Sequence, residues 1–209
     1  MDQKHSLSFT LPRDFYAQEA TTVARGLLGA ILVRRLDGQR VSGKIVETEA
    51  YRLTDDLASH GHVGRTARNA PMWEAPGHAY VYFTYGMYWL LNVVCEPVDH
   101  PAAVLIRAVE PLEGLEVLAA NRAGRPFIEW ASGPGRLTRA LCITGEQNRA
   151  DVTSQAADLW IEIGDPVPDE AARAGPRIGL GRHVTEPWLS IPWRWRVAGN
   201  PHVSRKGQA

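Results

Sequence analysis

At 209 residues, with 44% hydrophobic and 22% charged residues and a formal net charge of zero, the chain has the makeup of one folded domain that buries its core without disulfides or a structural metal. That composition excludes extensive disorder. The absence of an apolar run approaching ~20 residues, or of a basic-then-apolar leader, excludes a membrane span and a signal peptide and points to a cytoplasmic protein, nucleoid-associated if bacterial.

Residues 1–14 read as a polar N-terminal tail, 15–204 as a single domain and 205–209 as a C-terminal tail. Within the domain, Phe15 to Leu28 spaces its apolar residues as a short amphipathic helix. Ile31–Val33 and Val41–Tyr51 flank Asp37-Gly38, a dipeptide suited to the positive φ angles of a tight hairpin turn. In the second arm the two-residue period puts Ile45, Glu47, Glu49 and Tyr51 on one face and Lys44, Val46, Thr48 and Ala50 on the other. Residues 54–77 lack periodicity and read as a long loop of the functional kind. From Ala79 to Val94, β-forming residues surround Tyr85-Gly86-Met87, a second hairpin whose aromatic tip is either covered or used for contact.

Further on, Ala103 to Ala108 reads as a buried strand holding Arg107, which needs a partner, and Pro111 as the start of a helix through Asn121. Ser132-Gly133-Pro134-Gly135 precedes a helical stretch from Arg136 to Leu141, with Ser132 as candidate N-cap in a turn that is weak evidence for a phosphate site. Leu159–Ile163 and Trp193–Val197 read as strands separated by an irregular stretch, Gly175–Gly181. Charge is segregated here: every charged residue from Asp151 to Glu170 is acidic. From Arg173 to Lys206 the charged residues are basic apart from Glu186, either a phosphate-facing surface or a solvated arginine-rich segment. The two cysteines, Cys95 and Cys142, match no metal or redox spacing and read as buried thiols.

Cleaving a nucleoside bond needs a carboxylate to deprotonate the attacking water and to stabilise the cation that develops on the sugar. Glu49 is the best-placed candidate. Glu47 competes for the role, and two exposed glutamates on an edge strand are the other reading. Tyr51, His60 and Tyr82 suit a pocket that stacks an extrahelical base. Tyr85 and Met87 suit a wedge filling the vacated stack, and Arg65, Arg68 and Arg136 suit flanking phosphates. A Schiff-base mechanism needs an amine, but Lys4 and Lys206 fall in the tails and Lys44 on the strand face opposite Glu49, so direct attack by water is favoured.

With VETEAY at 46–51, YVYFTYGMYWLLNV at 80–93, RAVEPLEG at 107–114 and SGPGRL at 132–137, the chain resembles the alkyladenine (3-methyladenine) DNA glycosylase family from about Phe15 to Ser204. The resemblance implies a mixed α/β (α+β) single domain with a curved, mainly antiparallel sheet, surrounding helices and a protruding hairpin that enters the DNA minor groove. It implies a monomer that needs no metal or cofactor and acts on double-stranded DNA containing damaged purines: 3-methyladenine, 7-methylguanine, hypoxanthine and ethenoadenine. By motif, Glu49 is the general base, Tyr51, His60 and Tyr82 line the base pocket, Tyr85 replaces the flipped nucleotide, Asn92 discriminates against guanine and Arg107 contacts the adjoining nucleotide. The loop HGHVGRTARN at 60–69 departs from the expected basic or glycine-rich pattern. Two other classes compete: a hydrolase using Asp55, Asp56, His60 and His62 to hold a divalent metal, and a damaged-DNA-binding module without catalysis.

Overall fold

The computed structural model describes residues 10–52 and 54–204; the expected tails, apart from residues 10–14 of the first, lie outside the described residues. Order begins before residue 15, because Thr10 forms a β-bridge with Glu162 and helix α1 spans Arg13–Tyr16. The expected helix over 15–28 is two, α1 and α2 (Ala20–Gly26). The break has a tertiary cause: the Glu96 amide donates to Tyr16 O at 3.0 Å, and the Glu96 carboxylate accepts from the Ala20 amide at 3.1 Å, capping α2 from outside.

Strands β1 (Ile31–Leu36) and β2 (Gln39–Arg52) form the expected hairpin, with Asp37 and Gly38 at φ 48° and 80° between the paired Leu36 and Gln39. Strands β3 (Ala79–Thr84) and β4 (Tyr88–Val94) form the second, followed by β5 (Ala102–Glu113). Residues 54–77 are irregular apart from two 3₁₀ turns, His60–Val63 and Ala70–Trp73. Pro111 lies in β5 and does not open a helix: its missing N–H falls beside the register shift between Ser42 and Gly43. Gly114, at φ 66°, then turns the chain into α3 (Leu115–Asn121). Helix α4 spans Pro134–Ala140 and is entered through Gly133, not through the hydroxyl of Ser132. Strands β6 (Leu159–Glu162), β7 (Ala172–Gly175) and β8 (Arg194–Val197) complete the fold; β7 escaped sequence analysis because Ala, Arg and Gly carry no strand signal.

The strands make one open eight-stranded antiparallel sheet in the order β3-β4-β5-β2-β1-β6, with β8 joining both β2 and β7. The fold is therefore α+β, as expected. Helices α2, α3 and α4 cover one face, where residues such as Leu27, Leu118 and Leu137 pack with Val81, Leu91, Val93, Val104 and Ile106. Each such side chain contributes roughly 1.5–3 kcal/mol on burial. The alternate residues of the same strands, Tyr80, Tyr82, Leu90, Asn92, Leu105 and Arg107, point to the other face and line a pocket.

Strand β2 is interior, not an edge, and its phase changes midway. Two irregularities against β5 between Ile45 and Thr48 place one extra residue in β2 and then one in β5, and Ile45 enters the main core together with Ala50. The bulge removes Ile45 from the face of Glu47 and Glu49 and brings Lys44 onto it, reversing the assignment from strict alternation.

Candidate active site

The pocket has a volume of about 910 Å³ and is bounded by β3, β4 and β5, the 57–69 loop, the 178–184 segment and the start of α4. Tyr51, His60, Tyr82 and Asn92 all line it. The His60 ring lies 4.5 Å from that of Tyr82 at 64°, and its Nδ1 is 2.8 Å from the Tyr80 hydroxyl. Burial, with Arg68 adding to it, lowers the His60 pKa to about 4, so the ring is neutral near pH 7. Asn69 fixes the loop that carries His60 by donating to His60 O at 2.7 Å and Gly64 O at 2.8 Å. Asn92 donates its amide N–H to Tyr80 O at 3.1 Å.

Glu47 and Glu49 are both fully buried. Glu47 accepts from Arg107 Nε (3.1 Å), Arg194 Nη1 (3.2 Å) and Ser204 Oγ (3.0 Å) on Oε1, and from the Ser204 amide (2.8 Å) on Oε2. Glu49 accepts from the Tyr51 hydroxyl (2.8 Å) and Arg107 Nη1 (3.0 Å) on Oε2, and from the Ile178 amide (2.8 Å) on Oε1. Its partners Tyr51, Arg107 and Ile178 all line the pocket, which places Glu49 directly behind the lining. A carboxylate has about four lone-pair sites. Glu47 accepts four bonds, three of them crowded on Oε1, whereas Glu49 accepts three, only one of them on Oε1, the oxygen held by the pocket-lining Ile178. Burial, then the Glu49 charge, pushes the Tyr51 hydroxyl well above its ordinary pKa, so it stays protonated as a donor.

A second buried pair supports this floor. Asp56 and Arg177, both with side chains fully buried, meet through two contacts of 2.6 and 2.8 Å. Arg177 also donates to Ala50 O at 3.1 Å and stacks 4.7 Å from the Tyr51 ring centroid. It thereby ties the 54–64 loop and the Ile178 amide to the strand carrying Glu49. Asn69, Arg177, Ile178, Arg194 and Ser204 carry no signature of these roles in the sequence, because backbone donors and long-range ion pairs leave no local pattern.

The other candidates divide. Tyr85 is 76% exposed at the β3–β4 tip, with φ 52°, and Met87 is 63% exposed; Tyr85 lines the pocket mouth and Met87 does not. The turn follows from Tyr85 and Gly86 at φ 52° and 66° and a Met87 amide bond to Thr84 O at 3.2 Å. Arg68 lies over the Tyr82 ring at 5.4 Å, and Arg136 lines the pocket beside Ser132. Arg65 is not brought to the pocket; its guanidinium points towards Asp99 at 4.0 Å. Lys44, the only lysine among the described residues, pairs with Glu110 at 3.2 Å and is absent from the lining.

The candidate metal ligands do not converge. Asp56 is bound to Arg177, His60 to Tyr80 and His62 Nδ1 to Thr54 O, and no group of three His, Cys, Asp or Glu among the described residues is placed to hold an ion. Of the cysteines, Cys95 is buried as expected, but Cys142 is exposed, because it follows α4 at φ 48° in a turn open to solvent. No helix among the described residues is long and apolar enough to cross a membrane.

A model of the methylpurine-DNA glycosylase family matches residues 14–201. The chain belongs to the methylpurine-DNA glycosylase family. A relative from Methanocella arvoryzae is 48% identical over 197 residues, covering 94% of this chain and 96% of its own length. Another, from Carboxydothermus hydrogenoformans, is 42% identical over 196 residues, covering 94% and 99%. Both are provisionally named 3-methyladenine DNA glycosylase. The resemblance read from the motifs therefore holds over nearly the whole chain. As a member of the methylpurine-DNA glycosylase family, the chain is a DNA glycosylase, a hydrolase of N-glycosyl bonds acting on DNA.

Proposed function

We propose that the enzyme, acting as a monomer with residues 15–204 as its catalytic unit, excises 3-methyladenine, 7-methylguanine, hypoxanthine and ethenoadenine from duplex DNA. The damaged nucleotide leaves the helix, Tyr85 with Met87 beside it fills the gap, and the base stacks among Tyr51, His60 and Tyr82. A water held by Glu49 Oε1 attacks C1′ while the bond to the purine breaks. The water oxygen joins the sugar, its proton passes to Glu49 and the bonding electrons leave with the base, giving an abasic site in an uncut strand.

The observation that carries this reading is the unfilled acceptor site of Glu49, immediately behind an aromatic lining and fixed by a hydroxyl, a guanidinium and a backbone amide. Alkylation at a ring nitrogen puts positive charge on the purine, which weakens the glycosidic bond and favours stacking on tyrosine faces. A neutral His60 adds no opposing charge. Asn92, whose amide N–H is engaged by Tyr80 O, supports the reading in which its position crowds the exocyclic amine of guanine.

The test is base release from duplexes carrying hypoxanthine or 3-methyladenine, with chelator present. Release with an intact abasic strand supports the reading. Loss of release on chelation, or strand cleavage in the same step, overturns it.

A further inference from the structure

Buried arginines in this fold are matched, with one exception. Arg34 donates to Arg35 O and Asp158 O, Arg107 to both glutamates, Arg177 to Asp56 and Arg194 to Glu47. Arg122 is 9% exposed, its Nε is sealed from solvent, and its guanidinium makes no hydrogen bond or ion pair among the described residues. A guanidinium sealed at Nε and in contact with no acid is poorly compensated within the chain, and an anion from outside would complete it.

Its surroundings sharpen the point. The Arg125 amide bonds to Arg122 O at 3.0 Å, one turn on, and Arg125 is exposed. The neighbouring Asn121 reaches across to Ala140 O at 2.8 Å, which brings the end of α3 against the end of α4, beside the exposed Arg139. One turn back on α4, the exposed Arg136 stands at the pocket rim. Burial, then Arg136, Arg139 and Arg125 in that order, lower the Arg122 pKa, with Glu129 opposing them, so each of the three arginines repels Arg122. Glu129, the only acid between residues 122 and 142, is already engaged with Arg136 at 3.5 Å. Helix α4 packs on β4, so close that a Cβ at Gly135 would come within 2.7 Å of the Tyr88 ring; the strip therefore starts under the exposed hairpin.

We propose that Arg122, Arg125, Arg136 and Arg139 form a strip that binds successive backbone phosphates of the DNA duplex, continuing from the pocket rim beyond the flipped nucleotide. A row of separated cations fits a polyanion, not a single phosphate held in one cradle. The inference rests on the glycosylase reading for the placement of the DNA.

The test is the salt dependence of binding to an undamaged duplex from about 50 to about 200 mM salt, where each lost phosphate contact lowers the slope by about 0.9. Arg125→Gln/Arg139→Gln, both at exposed sites, is expected to lower it by about 2. Arg35→Gln, on β1 and away from the strip, is expected to leave the slope as it is. Arg122→Met keeps the aliphatic stem and removes the charge; it is expected to lower the slope by about 1 yet melt no lower than the parent. An unchanged slope in the double variant, or an equal fall in Arg35→Gln, overturns the strip, and a lower melting temperature for Arg122→Met assigns Arg122 to the fold alone. A parent that binds duplex through the strip but releases no base defeats the glycosylase reading and leaves the strip standing.

Discussion

The floor of the pocket and its rim differ in how their charged and apolar groups are matched. On the floor, Glu47, Glu49, Asp56, Arg107, Arg177 and Arg194 are buried and bonded to one another, and His60 is neutral. At the rim, Tyr85 and Arg136 face solvent, as do Met87, Arg125 and Arg139 beyond it, and the Arg122 guanidinium makes no hydrogen bond among the described residues. A matched floor holds its dipoles in place before substrate arrives, which is what electrostatic stabilisation of a charged transition state requires. An unmatched rim keeps its binding capacity for a partner outside the chain. Substitutions in the two regions should therefore separate stability from DNA engagement.

Asp56→Asn has the largest expected effect on stability, because it leaves the Arg177 charge buried and unpaired; a loss of about 3–5 kcal/mol by denaturant melting is expected. An effect below about 1 kcal/mol would mean that the floor is not held by this pair. His60 gives a pH signature of the floor. Its folded pKa of about 4 lies below the ordinary 6.5, so the unfolded chain takes up a proton in that window that the folded chain refuses. Stability falls as pH drops from 6.5 to 4, with His60 contributing up to about 3 kcal/mol, and His60→Asn should remove that part of the slope. Tyr82→Ala removes one stacking face and should weaken lesion-duplex binding by about 1–3 kcal/mol, read by titration. Tyr85→Ser, at the rim, should shift stability by less than about 0.5 kcal/mol while base release falls; a large loss of stability would show that the tip is structural.

The parts legible in the sequence were those with local causes. Asp37-Gly38 and Tyr85-Gly86 announced their hairpins, and Tyr82, named for its flat ring, and Asn92, named by motif, both line the pocket. What was illegible has non-local causes. The β2 bulge depends on its pairing with β5, so alternation alone misplaced Ile45 and Lys44. The run of arginines from Arg173 suggested either a phosphate-facing surface or a solvated segment, but Arg177 and Arg194 turn inward to Asp56 and Glu47. The arginines that follow α3 and those of α4 are spread over 18 positions and gather only when the helices pack. Likewise, nothing in the chain order says that Ile178 will offer its amide to a glutamate on β2.

The central claim is that Glu49 activates water while Glu47, two residues away on the same face, is structural. Single-turnover release of hypoxanthine from an inosine-containing duplex, comparing the parent with Glu49→Gln and Glu47→Gln, tests it directly. Glu49→Gln should fold and bind the lesion but release base about 10²–10⁴-fold more slowly. Glu47→Gln should melt lower yet keep a near-parental rate in its folded fraction. Full activity in Glu49→Gln, or a comparable rate loss in a stably folded Glu47→Gln, would contradict the assignment.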